Sequence, residues 1–300
     1  MKITITGASG FVGTALTRVL LDDGHTVTGL GTSASHPLQS AAHFNWVSAD
    51  TTVSGEWQKV VSGADAVVNL AGRTLFKRWS RAYKTQIVDS RVQTTRNVVN
   101  AMAGRKKTLV STSAVGYYGS RGDEVLDEHS RPGTDFLARL AVDWEQAALD
   151  AERQGVRVAI MRFGVVLGAG GGALAQMLPA FRMFAGGPLG NGRQWFSWIH
   201  LSDLIRAIQF VLDHAPARGP YNLCAPGAVR QKEFARALGS ALGRPAIVPA
   251  PSLVLRLMMG ELAGVLLASQ KVRPERLIAD GFSFRFADVD SALADLVGTP

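Results

Sequence analysis

Three hundred residues with 32 glycines, 47% hydrophobic and 19% charged, exclude a disordered chain or a minimal module and suit one large domain with an annex, or two modest ones. A single cysteine, Cys224, excludes a disulfide scaffold or cysteine-rich metal site and suits a reducing cytoplasm. The formal charge of +8 is local: from Arg73 to Lys107 ten basic residues stand against one acid, Asp89, while the rest holds 22 basic and 23 acidic residues. Such a segment serves a phosphate, a nucleotide or a nucleic-acid backbone, or is simply a solvated helix face.

Along the chain, strands alternate with helices. Lys2–Thr6 reads as a strand, and Phe11–Asp23 as a helix with Val12, Ala15, Leu16, Val19 and Leu20 on one face. His25–Gly31 and Phe44–Ser48 are further strands, and Ala66–Leu70 and Thr108–Thr112 have the short apolar character of buried parallel strands. Long helices are predicted over residues 80–102 and 135–154, then a strand over Val156–Phe163. The pattern implies an α/β fold with a doubly wound parallel sheet. Beyond a boundary near residue 165, glycine-rich stretches at 168–172 and 186–192 open a smaller α/β domain over 166–300 that serves the substrate. There the helix Ser202–His214, capped by Ser202 or Asp203, is expected to return to the sheet. A strand Phe282–Phe286 and a helix 288–296 close the chain.

The N-terminus lacks a signal-peptide core, so a cytoplasmic location is expected. Leu253–Ala268, interrupted by Arg256 and Glu261, is too short to span a bilayer and reads as a buried or partner-facing helix. A homodimer is left open. The six histidines show no metal-ligand spacing.

The strongest motif is Thr6-Gly7-Ala8-Ser9-Gly10-Phe11-Val12-Gly13, lying between the first strand and an amphipathic helix. Gly7 allows the tight turn, Gly10 lets backbone approach a pyrophosphate, and Gly13 lets helix pack on strand. Ser9, Phe11 and Val12 complete a loop whose helix N-terminus offers amides to phosphate. The second strand should end in an acid if the cofactor were NAD. Instead Thr32, Ser33 and His36 follow, which favours NADP(H) over NAD(H). Asp50, past the third strand, is placed either to receive the adenine amino group or to cap a turn.

With Asn69-Leu70-Ala71-Gly72, Arg78-Trp79-Ser80, Ser90-Arg91, Ser113-Ala114-Val115-Gly116-Tyr117-Tyr118-Gly119, Asp143-Trp144-Glu145, Arg162-Phe163-Gly164-Val165-Val166-Leu167-Gly168, Gly186-Gly187-Pro188-Leu189-Gly190 and Trp198-Ile199-His200, the chain resembles the short-chain dehydrogenase/reductase superfamily. The likeness is to its epimerase/dehydratase-like branch and, within that, to an atypical subgroup of bacterial and animal epimerase family proteins. The resemblance implies a Rossmann-type sheet, a cofactor lined by Leu70, Ala71 and Gly72, and a C-terminal domain of unknown function over about 249–296. It also exposes a departure. The superfamily's Tyr-x-x-x-Lys pair, which moves a proton at the substrate oxygen, falls on Leu137 and Ala141. The superfamily's helix asparagine is replaced by Arg91, and only Ser113 is retained.

A substitute constellation is expected in which Ser113 orients the substrate oxygen and Tyr117 transfers the proton. Lys84 and Arg91, seven residues apart on one helix face, tune it. The alternative is that Tyr117 and Tyr118 pack as amphipathic rings under the glycine loop. Arg193, in Gly190-Asn191-Gly192-Arg193, either holds an anionic substrate group or is an ordinary exposed arginine, and His200 reads as structural. Arg105, Lys106 and Lys107 read as solvated surface. Two functions compete: an NADP-dependent, epimerase-like oxidoreductase acting on a small polar or anionic molecule, nucleotide-sugars included, and an NADPH-sensing regulator whose C-terminal domain contacts a partner. Nucleic-acid binding ranks below both, because no recognition motif or aromatic interleaving accompanies the basic residues.

Overall fold

Strand–helix alternation does produce a doubly wound sheet. The structure is a computed structural model describing residues 1–102 and 107–297. In chain order it runs β1 (Lys2–Thr6), α1 (Phe11–Asp22), β2 (Thr26–Gly31), β3 (Phe44–Ser48), α2 (Gln58–Gly63), β4 (Ala66–Asn69), α3 (Arg81–Ala101) and β5 (Thr108–Ala114). Next come β6 (Val125–Leu126), α4 (Phe136–Leu149), β7 (Arg157–Phe163), β8 (Val165–Leu167), α5 (Gly172–Arg182), β9 (Trp195–Phe196), β10 (Trp198–His200) and α6 (Leu201–Asp213). The last stretch holds β11 (Gly219–Leu223), β12 (Val229–Arg230), α7 (Gln231–Ala241), α8 (Ser252–Met259), α9 (Leu262–Leu266), β13 (Lys271–Val272), α10 (Glu275–Ala279) and α11 (Val289–Val297).

Seven parallel strands form the central sheet in the order β11-β7-β5-β4-β1-β2-β3. Period-two alternation sends neighbouring residues to opposite faces. Val68 and Val110 join Leu16, Leu20, Leu204 and Ile208 under α1 and α6, while Val67 and Leu109 pack with Val98, Met102 and Ala148 under α3 and α4. The α6 helix therefore does return to the sheet.

The second half also contributes β11, an edge strand that sequence patterning misses. Its sequence, Gly-Pro-Tyr-Asn-Leu, is not an apolar run, and Pro220 is tolerated because an edge strand leaves one side unpaired. The sheet thus continues past the expected boundary near 165.

Four further expectations are corrected. The Phe282–Phe286 segment is not a strand, because the amides of Arg285 and Phe286 donate to the buried Asp203 carboxylate instead of to a neighbouring strand. The predicted helix Leu253–Ala268 breaks at Gly260, whose φ of 62° is left-handed, into α8 and α9. The α6 cap is neither Ser202 nor Asp203 but His200, whose Nδ1 accepts from the Ser202 amide. Lys107 is buried rather than solvated, its ammonium donating to the Val61 and Ser62 carbonyls. Arg105 and Lys106 lie outside the described residues.

Candidate active site

β1 and β4 lie side by side at the point where the strand order reverses, so a crevice opens beyond their carboxyl ends. The Thr6 hydroxyl donates to Asn69 Oδ1 at 2.6 Å and accepts from the Ala71 amide at 3.2 Å. The Asn69 amide group donates to Thr95 Oγ1 at 2.7 Å, which also receives the Trp144 indole at 2.9 Å. This buried relay fixes the ends of both central strands and the Leu70-Ala71-Gly72 turn. Sequence reading did not find Thr95 or Trp144 in it, although a tryptophan among the apolar residues of α4 was a usable signal.

The glycine loop follows its expected geometry. Gly7 is left-handed at φ 68°, and a Cβ on it would lie 2.9 Å from the Leu70 backbone. A Cβ on Gly13 would come within 2.3 Å of the Gly7 carbonyl oxygen. Helix α1 begins at Gly10 with no side-chain cap and no acid in its first turn. Its opening amides are therefore left for an anion, which is the arrangement a dinucleotide pyrophosphate requires. Phe11 turns its ring onto the second half, where a Cβ on Gly171 would lie 2.2 Å from it and one on Gly168 2.6 Å.

At the end of β2, Thr32 and Ser33 are exposed, and the Ser33 hydroxyl lies 3.4 Å from that of Ser9. His36 is not available to a phosphate. It is buried against Phe44 and Trp46, its Nδ1 accepts from the Leu38 amide, and its Nε2 meets the Ala8 carbonyl at 3.1 Å. Asp50 closes a turn by accepting from the amide and hydroxyl of Thr52, which hold its carboxyl below the usual range, with Arg73 adding to the effect.

A cavity of about 770 Å³ extends from this loop between the two halves of the chain. Its walls are largely apolar, among them Phe11, Trp79, Phe136, Phe163, Trp195 and Val265. Leu137 lines it and Ala141 is buried one turn further along α4, so the usual proton-transfer pair is absent. Arg73 and Arg91 line it too. Burial lowers the Arg91 guanidinium to about 10.

The substitute constellation does not assemble. Ser113 is buried and its hydroxyl donates to Glu145 Oε1 at 2.6 Å, away from the cavity. Glu145 in turn takes both Nε and Nη2 of Arg162, each at 2.8 Å. The Arg162 guanidinium lies 3.5 Å from the centre of the Tyr117 ring, and its Nη1 donates to the Tyr118 hydroxyl at 2.9 Å. That hydroxyl donates to Asn222 Oδ1 at 2.7 Å, and the Asn222 side-chain amide donates to the Arg273 carbonyl in the C-terminal segment. Burial alone would lower the Arg162 guanidinium, but the hydrogen bonds and charge of Glu145 raise it above its ordinary value. Burial likewise pushes Tyr118 above the tyrosine range, against the pull of Arg162. These groups form a structural lock between β5, α4, β7 and β11.

Lys84 pairs with Glu261 and sits 5.1 Å from the Phe136 ring centre, while Arg91 lies over Trp144. The cation facing the Tyr117 ring is Arg162, not either of these. Arg193 is exposed and outside the cavity, and its neighbour Gln194 lines the wall instead. His200 is structural, packed on Phe286 and bonded to Asp295, and burial lowers its imidazole.

Because Tyr117 offers its ring face to Arg162, Tyr117→Phe is expected to leave stability within about 0.5 kcal/mol of wild type. Tyr117→Leu should cost about 1 kcal/mol or more through the lost cation–π contact. Urea denaturation of both variants checks this, and a larger loss in the Phe variant would assign the hydroxyl a role.

Residues 3–224 match the NAD dependent epimerase/dehydratase family, and residues 250–296 match a domain of unknown function, DUF1731. The chain is 43% identical over 298 residues to the Arabidopsis thaliana protein called epimerase family protein SDR39U1 homolog, chloroplastic, covering 98% of this chain and 86% of that one. It is 38% identical over 301 residues to the Staphylococcus haemolyticus epimerase family protein SH2119, covering 99% of each. Among solved structures, human epimerase family protein SDR39U1 (isoform 2), crystallised with NADPH, superposes with a TM-score of 0.87 at 33% identity over 99% of both chains. The chain belongs to the NAD dependent epimerase/dehydratase family. It is an NAD(P)-binding member of that family, similar throughout its length to the SDR39U1 proteins.

Proposed function

We propose that this protein is an NADP(H)-dependent, epimerase-type oxidoreductase acting on a small anionic molecule held in the composite cavity. The observation that carries the cofactor choice is the end of β2, where Thr32 and Ser33 stand in place of an acid and Ser33 neighbours Ser9. An acid there would repel a 2′-phosphate, whereas hydroxyls donate to it. The NADPH bound by the human relative supports the same choice.

The residues present fit the dinucleotide. The uncapped amides of Phe11, Val12 and Gly13 would hold its pyrophosphate, Ser9 and Ser33 its 2′-phosphate, Asp50 its adenine, and Leu70, Ala71 and Gly72 its riboses. When bound, the group supplies a hydride for a substrate carbonyl. The chain's own part is to exclude water with apolar walls and to orient the substrate with Arg91 and Ser120, two of the polar residues that line the cavity. A cytoplasmic location belongs to this reading and is supported by the single, buried Cys224.

Leu137 and Ala141 favour a second reading, an NADPH-responsive regulator, since neither side chain moves a proton. The exposed apolar side chains of α8 (Leu253, Leu257 and Met258) then serve a partner.

Calorimetric titration should show NADPH binding at least about tenfold tighter than NADH, which corresponds to about 1.4 kcal/mol. Ser33→Asp should reverse the preference. Equal affinities in the wild type would defeat the NADP(H) assignment. NADPH oxidation across a panel of carbonyl compounds separates enzyme from regulator.

A further inference from the structure

Arg91 is a charge in need of a counter-ion. It projects from α3 into the cavity wall, partly buried between Gly72 and the Trp144 ring. Its hydrogen-bond partners are all neutral. Nη1 donates to the Ile87 carbonyl at 3.2 Å and weakly to Ser90 Oγ at 3.5 Å, and Nη2 donates to the Arg73 carbonyl at 3.0 Å. No carboxylate pairs with it among the described residues, whereas Arg162 has Glu145 and Lys84 has Glu261; Arg73 and Arg256, which also line the cavity, have no ion pair among the described residues either. The two carboxylates that line the cavity are committed elsewhere. Glu261 pairs with Lys84, and Asp135 caps α4 by accepting from the Ala138 amide.

Arginine N–H groups number five. The Nε hydrogen and the second Nη2 hydrogen meet no protein acceptor among the described residues, and two donors are what a carboxylate takes. A guanidinium withdrawn from water without a counter-ion is costly unless a ligand supplies the charge. The walls around it are largely apolar, with Arg73 and Arg256 as further cations, so they suit an anionic group carried on an apolar body.

We propose that Arg91 is the anion receptor of the substrate cavity, and that the physiological substrate is amphipathic, a carboxylate on an apolar body. This narrows the substrate class within the oxidoreductase reading and rests on it. Arg91 binds and positions this anion. Gly72 is part of the same receptor, because a Cβ there would lie 3.1 Å from the Arg91 Cζ and displace the guanidinium.

The test compares 4-phenylbutyrate with its neutral amide by calorimetry, using the whole chain with and without saturating NADP+. Wild type should bind the acid at least about tenfold tighter than the amide, about 1.4 kcal/mol. Arg91→Met should abolish the difference and Arg91→Lys retain part of it. NADPH affinity should stay within threefold in Arg91→Met. If instead it falls more than tenfold, the cofactor's phosphates are the anion and the proposal is overturned. Equal binding of acid and amide by wild type, or binding of neither, overturns it without recourse to any variant. Failure of wild type to bind NADPH at all would sink the cofactor reading alone, because the acid–amide comparison is also made without cofactor.

Discussion

Replacing Arg162 with methionine should destabilise the protein by about 3–5 kcal/mol, the penalty for leaving one member of a buried ion pair without its partner. Both residues are nearly inaccessible, at 3% and 7% exposure, so water cannot replace the lost guanidinium. Methionine fills much of the arginine volume, so the effect reports charge and hydrogen bonding rather than a cavity. The Glu145 carboxylate would keep only the Ser113 hydroxyl, and the Tyr118 hydroxyl would lose its donor. The double variant Arg162→Met with Glu145→Leu should recover most of the loss, because two apolar side chains need no partners. Urea denaturation midpoints of the two variants measure this. A loss below about 1 kcal/mol in the single variant would show that the lock does not support the fold.

The second large effect belongs to Gly13→Ala. The new methyl group would fall 2.3 Å from the Gly7 carbonyl oxygen and 2.7 Å from the Ala8 Cα, both backbone atoms that no side-chain rotation can move aside. Relief requires α1 to move away from β1 or the loop to change shape, at about 1–3 kcal/mol. Either movement displaces the uncapped amides at the start of α1, which the proposed function assigns to the cofactor phosphates. NADPH affinity should therefore fall at least about tenfold, beyond what the stability change alone implies. Calorimetric titration alongside thermal unfolding separates the two. Unchanged affinity would remove the α1 N-terminus from cofactor binding.

The fold's first half was legible because its signals are local. β4 is a short apolar run, β1 alternates isoleucine with threonine, and the glycine loop fixes where α1 starts. The site was harder to read. An arginine inside the apolar run of β7 and a glutamate on the buried face of α4 do announce a buried ion pair. Nothing in their spacing says that Ser113 joins it, or that the Tyr118–Asn222 bond spans 104 residues. Ser113 was expected to face the cofactor because it ends a strand, but strand alternation sends it to the α4 face. By sequence alone Arg91 reads as a cation tuning Tyr117 and Arg193 as the holder of an anionic group or an exposed arginine, but Arg91 lines the cavity and Arg193 does not. The segment 282–286 had a strand's composition, yet the Asp203 carboxylate takes its amides, a competition that composition does not reveal.

The Phe11 ring occupies a slot made by Gly168 and Gly171. Those glycines belong to the second half of the chain, while Phe11 opens the helix that follows the glycine loop. The two halves therefore share one steric unit, and residue size at position 11 and at positions 168 and 171 cannot drift independently. Through evolution such positions would have to change together, a large ring with glycines or a small side chain with bulkier neighbours. The slot ties the ancestry of the glycine loop to that of the second half, so that exchanging either half with a relative would succeed only when both sides of the slot travel together.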